Sequence, residues 1–433
     1  MRLPSVRWII AVFIFAETML AYVDLQALSV LAPLLSEKLK ITDVQYALIT
    51  QAFLVAMTIS FLLGGFLIDR LGVRWGLALS LAWWSVADIL HVFASTPREL
   101  AICRFLLGLG YPGAFMSAAR AISEWYPPQE RGIVYGLSTA GATVGAVAAY
   151  PTVVWITSHH GWQAAFVYTG AAGLFFAAGW LMVYYNPAQH PWASKEELAY
   201  IKSEVVGTSR IVSLQPVSGP RLLRDRTFWA VAIGRFVGDN PWVFYAFWLP
   251  KFLAEHGLGM AQIGRIGWIP FVFADLGSVG GGWLSGRLIQ RGFSPRRARV
   301  TLLTLGLPVL SFVFVLGLIR SEYVLIALLS IFTMFTTSWL VNLNVIIVDS
   351  FPQSTIATLT GLTTCAGTFG GVFFTFAVGR VVQNYSYRPV FFVMALLSVS
   401  AYILVRWILP REEKQQEVFV FARDCDVSKS AGT

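Results

Sequence analysis

Seven ionisable side chains stand in stretches where almost every neighbour is apolar: Glu17, Asp24, Asp88, Arg104, Arg235, Asp239 and Asp275. A charge at the centre of a bilayer costs about 2.5–3.5 kcal/mol on insertion scales, so each of these needs a partner or a task. Arg104 offers the sharpest chemistry, because a guanidinium grips a carboxylate through two parallel hydrogen bonds. Asp24 offers the complement: a carboxyl group taken out of water favours its neutral form and can hold a proton. Glu17 lies seven residues earlier, within about 20° on the same helical face and roughly 10 Å away. It either adds a second acid to Asp24 or reaches back to the near membrane surface. Arg235 and Asp239 are four residues apart and pair along one helix face. Pro241, just beyond them, frees a backbone carbonyl and permits a bend.

Such residues need helices to hold them. Of 433 residues, 56% are hydrophobic and 13% charged, against roughly 25% charged in a soluble chain. Lipid must cover what polar groups cannot. Apolar stretches of the length that crosses a bilayer recur along the chain. The pattern predicts an all-α membrane protein with spans at about 8–34, 45–68, 75–95, 98–122, 131–156, 162–186, 226–252, 263–288, 299–319, 323–348, 354–382 and 387–409. The first run is too long for a cleavable signal peptide, and none is expected. Lys and Arg gather on one side of this arrangement, which puts both termini in the cytoplasm. The net charge of +9 therefore sits in loops rather than on a module for nucleic acid. Cys103, Cys365 and Cys425 lie far apart and form no metal or disulfide pattern; neither metal nor cofactor is expected.

The chain repeats itself. Tyr126-Pro127 through Gly136-Leu137-Ser138-Thr139-Ala140-Gly141-Ala142-Thr143-Val144-Gly145 matches Phe351-Pro352 through Gly361-Leu362-Thr363-Thr364-Cys365-Ala366-Gly367-Thr368-Phe369-Gly370 without a gap. Gly64-Gly65-Phe66-Leu67 matches Gly281-Gly282-Trp283-Leu284. Six spans per copy give a parallel repeat: one half at 1–186, a linker with a short surface helix at 187–224, a second half at 225–410 and a polar tail at 411–433. The linker carries Ser194-Lys195-Glu196-Glu197, a capping-box start. Arg104 breaks the repeat, since Leu329 stands at the matched position. An unmatched buried cation points to a ligand, and Arg104 becomes the first candidate for binding an organic anion.

Gly65-Phe66-Leu67-Ile68-Asp69-Arg70-Leu71-Gly72-Val73-Arg74 follows span 2. The segment resembles the signature of the major facilitator superfamily, and a degraded second copy runs from Gly282 to Arg287. Gly65 permits close helix packing, Asp69 can accept from a helix N-terminus or a nearby arginine, and Arg70 and Arg74 face the anionic leaflet. The runs Trp248-Leu249-Pro250-Lys251-Phe252-Leu253, Arg104-Phe105-Leu106-Leu107-Gly108-Leu109-Gly110 and Glu124-Trp125-Tyr126-Pro127-Pro128-Gln129-Glu130-Arg131-Gly132 look like the anion:cation symporter family, and within it are most similar to bacterial hexuronate and sugar-acid transporters. The resemblance implies a monomer of the inner membrane that imports a carboxylate-bearing sugar acid with protons.

The resemblance also distributes roles. It places the substrate-binding arginine on Arg104 and the coupling acid on Asp24. Where the family carries an arginine after that acid, this chain has Leu25; where it carries a second acid and a substrate tyrosine, this chain has Tyr111 and Met57. A less polar, aromatic or aliphatic carboxylate is therefore a competing passenger, imported or merely equilibrated. Tyr22, Gln51, Tyr111, Trp242, Tyr245 and Asn342 are further candidates to line the site, with Asn342 equally suited to interhelix bonding. Glu124 with Arg131, Arg287 and Asp349 are candidates for ion pairs that hold the halves together at the inner side. No nucleophile–base set, metal-ligand histidine pair or phosphate loop supports an enzyme. A membrane sensor that binds without transporting is the rival of another class.

Overall fold

The computed structural model describes residues 5–41, 43–201, 224–249, 252–253, 256–258, 262 and 266–410. The tail expected at 411–433 and the greater part of the linker at 187–224 lie outside them. Twelve membrane crossings arranged as two sixes account for the described helices. Val6–Lys38 is span 1. Asp43–Ile89 is assigned as one unbroken helix, yet Gly72 within it has φ 77° and ψ 163°. Only glycine takes that conformation without strain, and there the chain folds from span 2 into span 3. Pro97–Gly110 and Pro112–Trp125 make span 4, Pro128–His160 span 5 and Trp162–Val183 span 6.

The second six follow the same order. Span 7 is broken into Arg226–Gly238 and Asn240–Phe247, span 8 holds Ile269–Gln290, and span 9 runs through Pro295–Ser311 into a tighter turn at Val313–Gly317. Glu322–Ser350, Ile356–Asn384 and Tyr387–Ile408 complete spans 10 to 12. The break in span 7 follows from its sequence. Pro241 cannot donate a backbone hydrogen bond, and the side-chain amide of Asn240 serves the stranded carbonyls of Phe236 and Val237 at 3.1 and 2.7 Å.

Polarity is inverted relative to a water-soluble fold. Phe93, Phe175, Met182, Phe376 and Trp407 are exposed while Asp24, Asp88 and Arg104 are buried. Among the described residues nine helices are long and apolar enough to cross a membrane, one of them being the 46-residue Leu48–Phe93 stretch that holds two crossings. Span 5 packs along span 8, and span 2 along span 11, so these two pairs form the seams between the halves.

The described start of the linker forms the short helix its sequence predicts. The Ser194 hydroxyl accepts the Glu197 amide at 3.0 Å. The Glu197 carboxylate in turn accepts the amides of Val6 and Arg7 at 3.2 and 3.1 Å. A negative charge on those first free N–H groups stabilises the start of span 1.

Candidate functional site

Five spans of the first half converge on Arg104. The residue is 1% exposed, and its Nε and Nη2 meet no hydrogen-bond partner among the described residues. Asp24 from span 1 and Asp88 from span 3 are its electrostatic neighbours, with Tyr46 of span 2 and Cys103 of span 4. Neither carboxylate closes to within 4.0 Å to make an ion pair with it among the described residues. Span 6 supplies Phe166, whose ring lies 5.7 Å from the Arg104 guanidinium carbon.

Each acid has one hydrogen-bonded oxygen and one bare oxygen. Asp24 Oδ2 accepts from Trp84 Nε1 at 2.7 Å, and Asp88 Oδ2 lies 2.5 Å from Thr169 Oγ1. Among the described residues neither Oδ1 has a hydrogen-bond partner, and Asp88 Oδ1 lies 3.9 Å from His91 Nδ1. His91, one turn beyond Asp88, stacks on Phe166 at 4.6 Å, with Nδ1 3.0 Å from the carbonyls of Ala87 and Asp88. Buried polar atoms without partners cost about 1–3 kcal/mol each. Their concentration around one guanidinium marks a place shaped for something that brings acceptors and donors with it.

Tyr111 lies in the same region, ringed by Phe53, Trp84 and Phe115 at 5.5–5.9 Å between centroids. Its hydroxyl has no hydrogen-bond partner among the described residues, and Tyr22, Asp24 and Glu17 are its electrostatic neighbours. Glu17 is 1% exposed, with the Thr18 side chain beside its carboxylate. It does not reach the membrane surface; its face of the helix turns into the bundle. Tyr22 packs edge-on against Phe115 at 6.4 Å. Met57 and Leu25 are partly buried against the same core. Gln51 is exposed.

The second half treats its charges differently. Arg235 donates Nε to Asp239 at 3.0 Å and Nη1 to Thr364 at 2.6 Å. Tyr135 of span 5 faces this pair from the other half. Asp275 of span 8 meets Thr143 of span 5. Trp242 is partly buried against Phe271. Tyr245 is fully buried in the apolar core of this half, beside Thr336. Asn342 is also fully buried and turns its amide back onto the carbonyl of Ser338 at 2.9 Å. Both lie in the second half, and among the described residues Tyr245 Oη and Asn342 Oδ1 have no hydrogen-bond partner.

The seams close at the face that carries the chain termini. Asp69 accepts from the amides of Ala357 and Thr358 at 3.2 and 2.8 Å and from the Thr358 hydroxyl at 2.6 Å, capping the start of span 11. Beside it, a Cβ on Gly65 would stand 2.6 Å from the Ala357 carbonyl oxygen. At the other seam Gly132 and Gly282 touch backbone to backbone. Arg131 donates to Asp349 Oδ1 at 3.0 Å, and Arg299 to Asp349 Oδ2 at 3.1 Å. Arg299 also donates to the Pro128 carbonyl at 2.6 Å and to the Ser285 hydroxyl. Glu124 is held by Arg120 at 2.9 Å and Tyr184 at 2.7 Å, within its own half, rather than by Arg131. Arg74 donates to the Leu181 carbonyl at 2.7 Å and lies 3.9 Å from the Tyr185 ring centre, so it braces span 6 instead of facing lipid. Arg70 and Arg287 are exposed, the latter over the Trp283 ring.

Sequence reasoning missed Arg120 and Arg299. The first had a signal, its four-residue spacing to Glu124. The second had none, because fifty residues separate it from Asp349. Thr169 and Trp84, which dress the two acids, are equally invisible to spacing.

Known proteins resemble this arrangement. A family model described as Major Facilitator Superfamily matches residues 14–375. The hexuronate transporter of Escherichia coli (strain K12) is 30% identical over 420 residues, spanning 96% of this chain and 97% of that protein. The galacturonate transporter of Dickeya chrysanthemi is 31% identical over 329 residues, 75% of this chain and 95% of its own. Among solved structures, the human organic anion transporter MFSD10 superposes with a TM-score of 0.70 at 15% identity, covering 93% of this chain and 100% of that one. The transporter FucP in its outward conformation gives 0.68 at 14% identity, covering 93% and 99%. At such identities the two structures speak to the fold alone. The family model and the near full-length relatives agree with the twelve-span bundle, and on that agreement the chain belongs to the Major Facilitator Superfamily of multi-pass membrane transporters and is not an enzyme.

Proposed function

We propose that this protein imports a small organic anion, a sugar acid of the hexuronate or aldonate kind, together with a proton, by alternating access between its two halves. One observation carries the reading: Arg104 is buried inside a helical bundle with Nε and Nη2 unmet. A carboxylate fits that need better than any neutral ligand, since it supplies charge and two acceptors at once. The hexuronate and galacturonate transporters named above support the substrate class. A carboxyl group beside Arg104 carries the proton, and the sequence nominates Asp24. The protein works as a monomer in the bacterial inner membrane with both termini in the cytoplasm.

The seams supply the moving parts. With Asp69 capping span 11 and Asp349 joining Arg131 and Arg299, the cytoplasmic side is shut and the substrate enters from outside. Release inward requires these contacts to part, and a substrate that neutralises Arg104 lowers the barrier to that rocking. A less polar carboxylate is the second reading, favoured by the aromatic ring around Tyr111 and by Leu25 and Met57. Counterflow of labelled D-glucuronate and of labelled benzoate in proteoliposomes, for the parent and Arg104→Lys, tests both. Exchange of glucuronate that vanishes in the lysine variant supports the sugar-acid reading, and exchange of benzoate alone supports the second. Full glucuronate exchange by Arg104→Lys refutes the anion site.

A further inference from the structure

Span 1 carries a second buried acid, Glu17, to which the reading above gives no task. Glu17 and Asp24 are seven residues apart on span 1, and Arg104 and Tyr111 are seven apart on span 4. Seven residues are nearly two full turns, so the members of each pair lie about 10 Å apart on one helix face. The two spans pack together. Asp24 and Arg104 are neighbours at one level. Glu17 and Tyr111 are neighbours at the next, nearer the cytoplasmic start of span 1. The bundle thus holds two polar rungs. The outer one carries the cation. The inner one carries three buried oxygens, Tyr111 Oη and the two of Glu17, which have no hydrogen-bond partner among the described residues apart from the Thr18 side chain beside Glu17.

The charge of the inner rung follows from what surrounds it. Span 4 presents the Tyr111 phenol. Span 5 presents Ser138, whose Oγ lies 3.3 Å from Thr18 Oγ1. It packs so closely that a Cβ on Gly141 would stand 2.5 Å from the Phe15 carbonyl oxygen. Span 6 presents Phe176 and Trp180, which pack on Phe13 one turn below Glu17. Among the described residues no cation acts on Glu17, and Glu17 is not one of the acids that act on Arg104. An ionised carboxylate here would be a buried charge without a counter-ion, so Glu17 is a neutral carboxylic acid. Such an acid donates through its O–H and accepts at its C=O, and a phenol does both through one oxygen. The rings of Phe53, Trp84 and Phe115 around Tyr111 add an apolar surface. Hydroxyls that donate and accept, carried on a ring with C–H faces, are what this surface complements.

We propose that Glu17 and Tyr111 form the hydroxyl-binding end of the substrate site and hold the sugar ring of an acid whose carboxylate lies on Arg104. With a hydrogen bond of about 3 Å at each end, the roughly 10 Å between the rungs leaves room for one sugar ring. The proposal deepens the reading that Arg104 takes a substrate carboxylate, and rests on it. Glu17 keeps its proton throughout the cycle, so the transported proton stays with the acid beside Arg104. A carboxylate without hydroxyls leaves the inner rung unmet, and a site built to bond hydroxyls discriminates against it.

The test uses the full chain in proteoliposomes and compares the affinity for labelled D-glucuronate with that for cyclohexanecarboxylate, a ring acid without hydroxyls, measured by competition. Glu17→Leu and Tyr111→Phe should each weaken D-glucuronate about ten-fold and leave cyclohexanecarboxylate unchanged. Glu17→Gln keeps a donor and an acceptor, so it should stay within about three-fold of the parent and retain the response of uptake to a pH gradient. The conservative Tyr111→Phe and Glu17→Gln keep the test decisive if Glu17→Leu folds poorly. Parental D-glucuronate affinity in Tyr111→Phe, or an equal loss for both acids, overturns the proposal. So does a parent that does not prefer D-glucuronate, and so does loss of the gradient response in Glu17→Gln, which would make Glu17 a proton carrier instead. Each of these leaves the Arg104 reading standing. Binding of both acids that ignores Arg104→Lys overturns that underlying reading instead.

Discussion

Two arginines sit inside matched bundles of this protein under opposite conditions. Arg235, in the second half, has an aspartate one turn away and a threonine hydroxyl from span 11. Arg104, in the first half, has acids nearby but bonds to neither, and two of its nitrogens are bare. Removing a charge from water costs several kcal/mol unless it is paired and hydrogen-bonded. The second half meets that cost with its own side chains. The first half leaves it open for a ligand. On the function proposed above, one half holds its arginine as a brace and the other keeps its arginine for a substrate carboxylate.

The seams show what binds the two halves while this difference operates. The largest expected effect comes from Asp349→Asn, which strips Arg131 and Arg299 of their shared counter-charge. Breaking a buried pair costs about 3–5 kcal/mol, so both the melting temperature in detergent and the rate of uptake should fall sharply. A variant as stable and active as the parent would mean the seam does not depend on that carboxylate. Next is Gly65→Val, whose branched side chain would meet the backbone of Ala357 and Thr358. Overpacking of about 1–3 kcal/mol should favour separation of spans 2 and 11. Faster labelling of Cys365 by a membrane-permeant maleimide is the expected readout; an unchanged rate would show the seam can yield.

The brace itself can be probed more gently. Arg235→Gln and Asp239→Asn each leave one charge stranded. The double variant should recover about 1–2 kcal/mol of stability relative to the sum of the singles, measured by thermal unfolding. Strict additivity would mean that Arg235 and Asp239 do not act as a pair. The smallest effect expected is for Trp84→Phe, which removes a single hydrogen bond to Asp24 and costs about 1 kcal/mol. Its mark should be a modest loss of thermal stability with the fold intact.

Much of the fold was legible because local rules dictate it. Apolar runs long enough to span a bilayer, the gapless repeat from Tyr126 to Phe351 and the Gly65–Arg74 segment each depend on neighbours in the chain. The Arg235–Asp239 pair and the Ser194 cap were readable for the same reason: both are helical spacings. Contacts between spans were not. Nothing in the sequence ties Arg299 to Asp349, Thr169 to Asp88 or Trp84 to Asp24, because helix rotation and tilt decide which faces meet. The pairing of Glu124 with Arg131 failed on that ground: Arg120, one turn before Glu124 on the same helix, holds the carboxylate instead.

The contrast between the two arginines can be measured side by side. Arg104→Lys and Arg235→Lys, reconstituted at equal amounts, would be compared for exchange of labelled D-glucuronate. A lysine cannot reproduce the two parallel bonds of a guanidinium, so the first variant should lose about 100-fold in exchange, while the second keeps its salt bridge and most of its rate. Equal loss in both variants, or loss confined to Arg235→Lys, would contradict the assignment of the anion site to the first half.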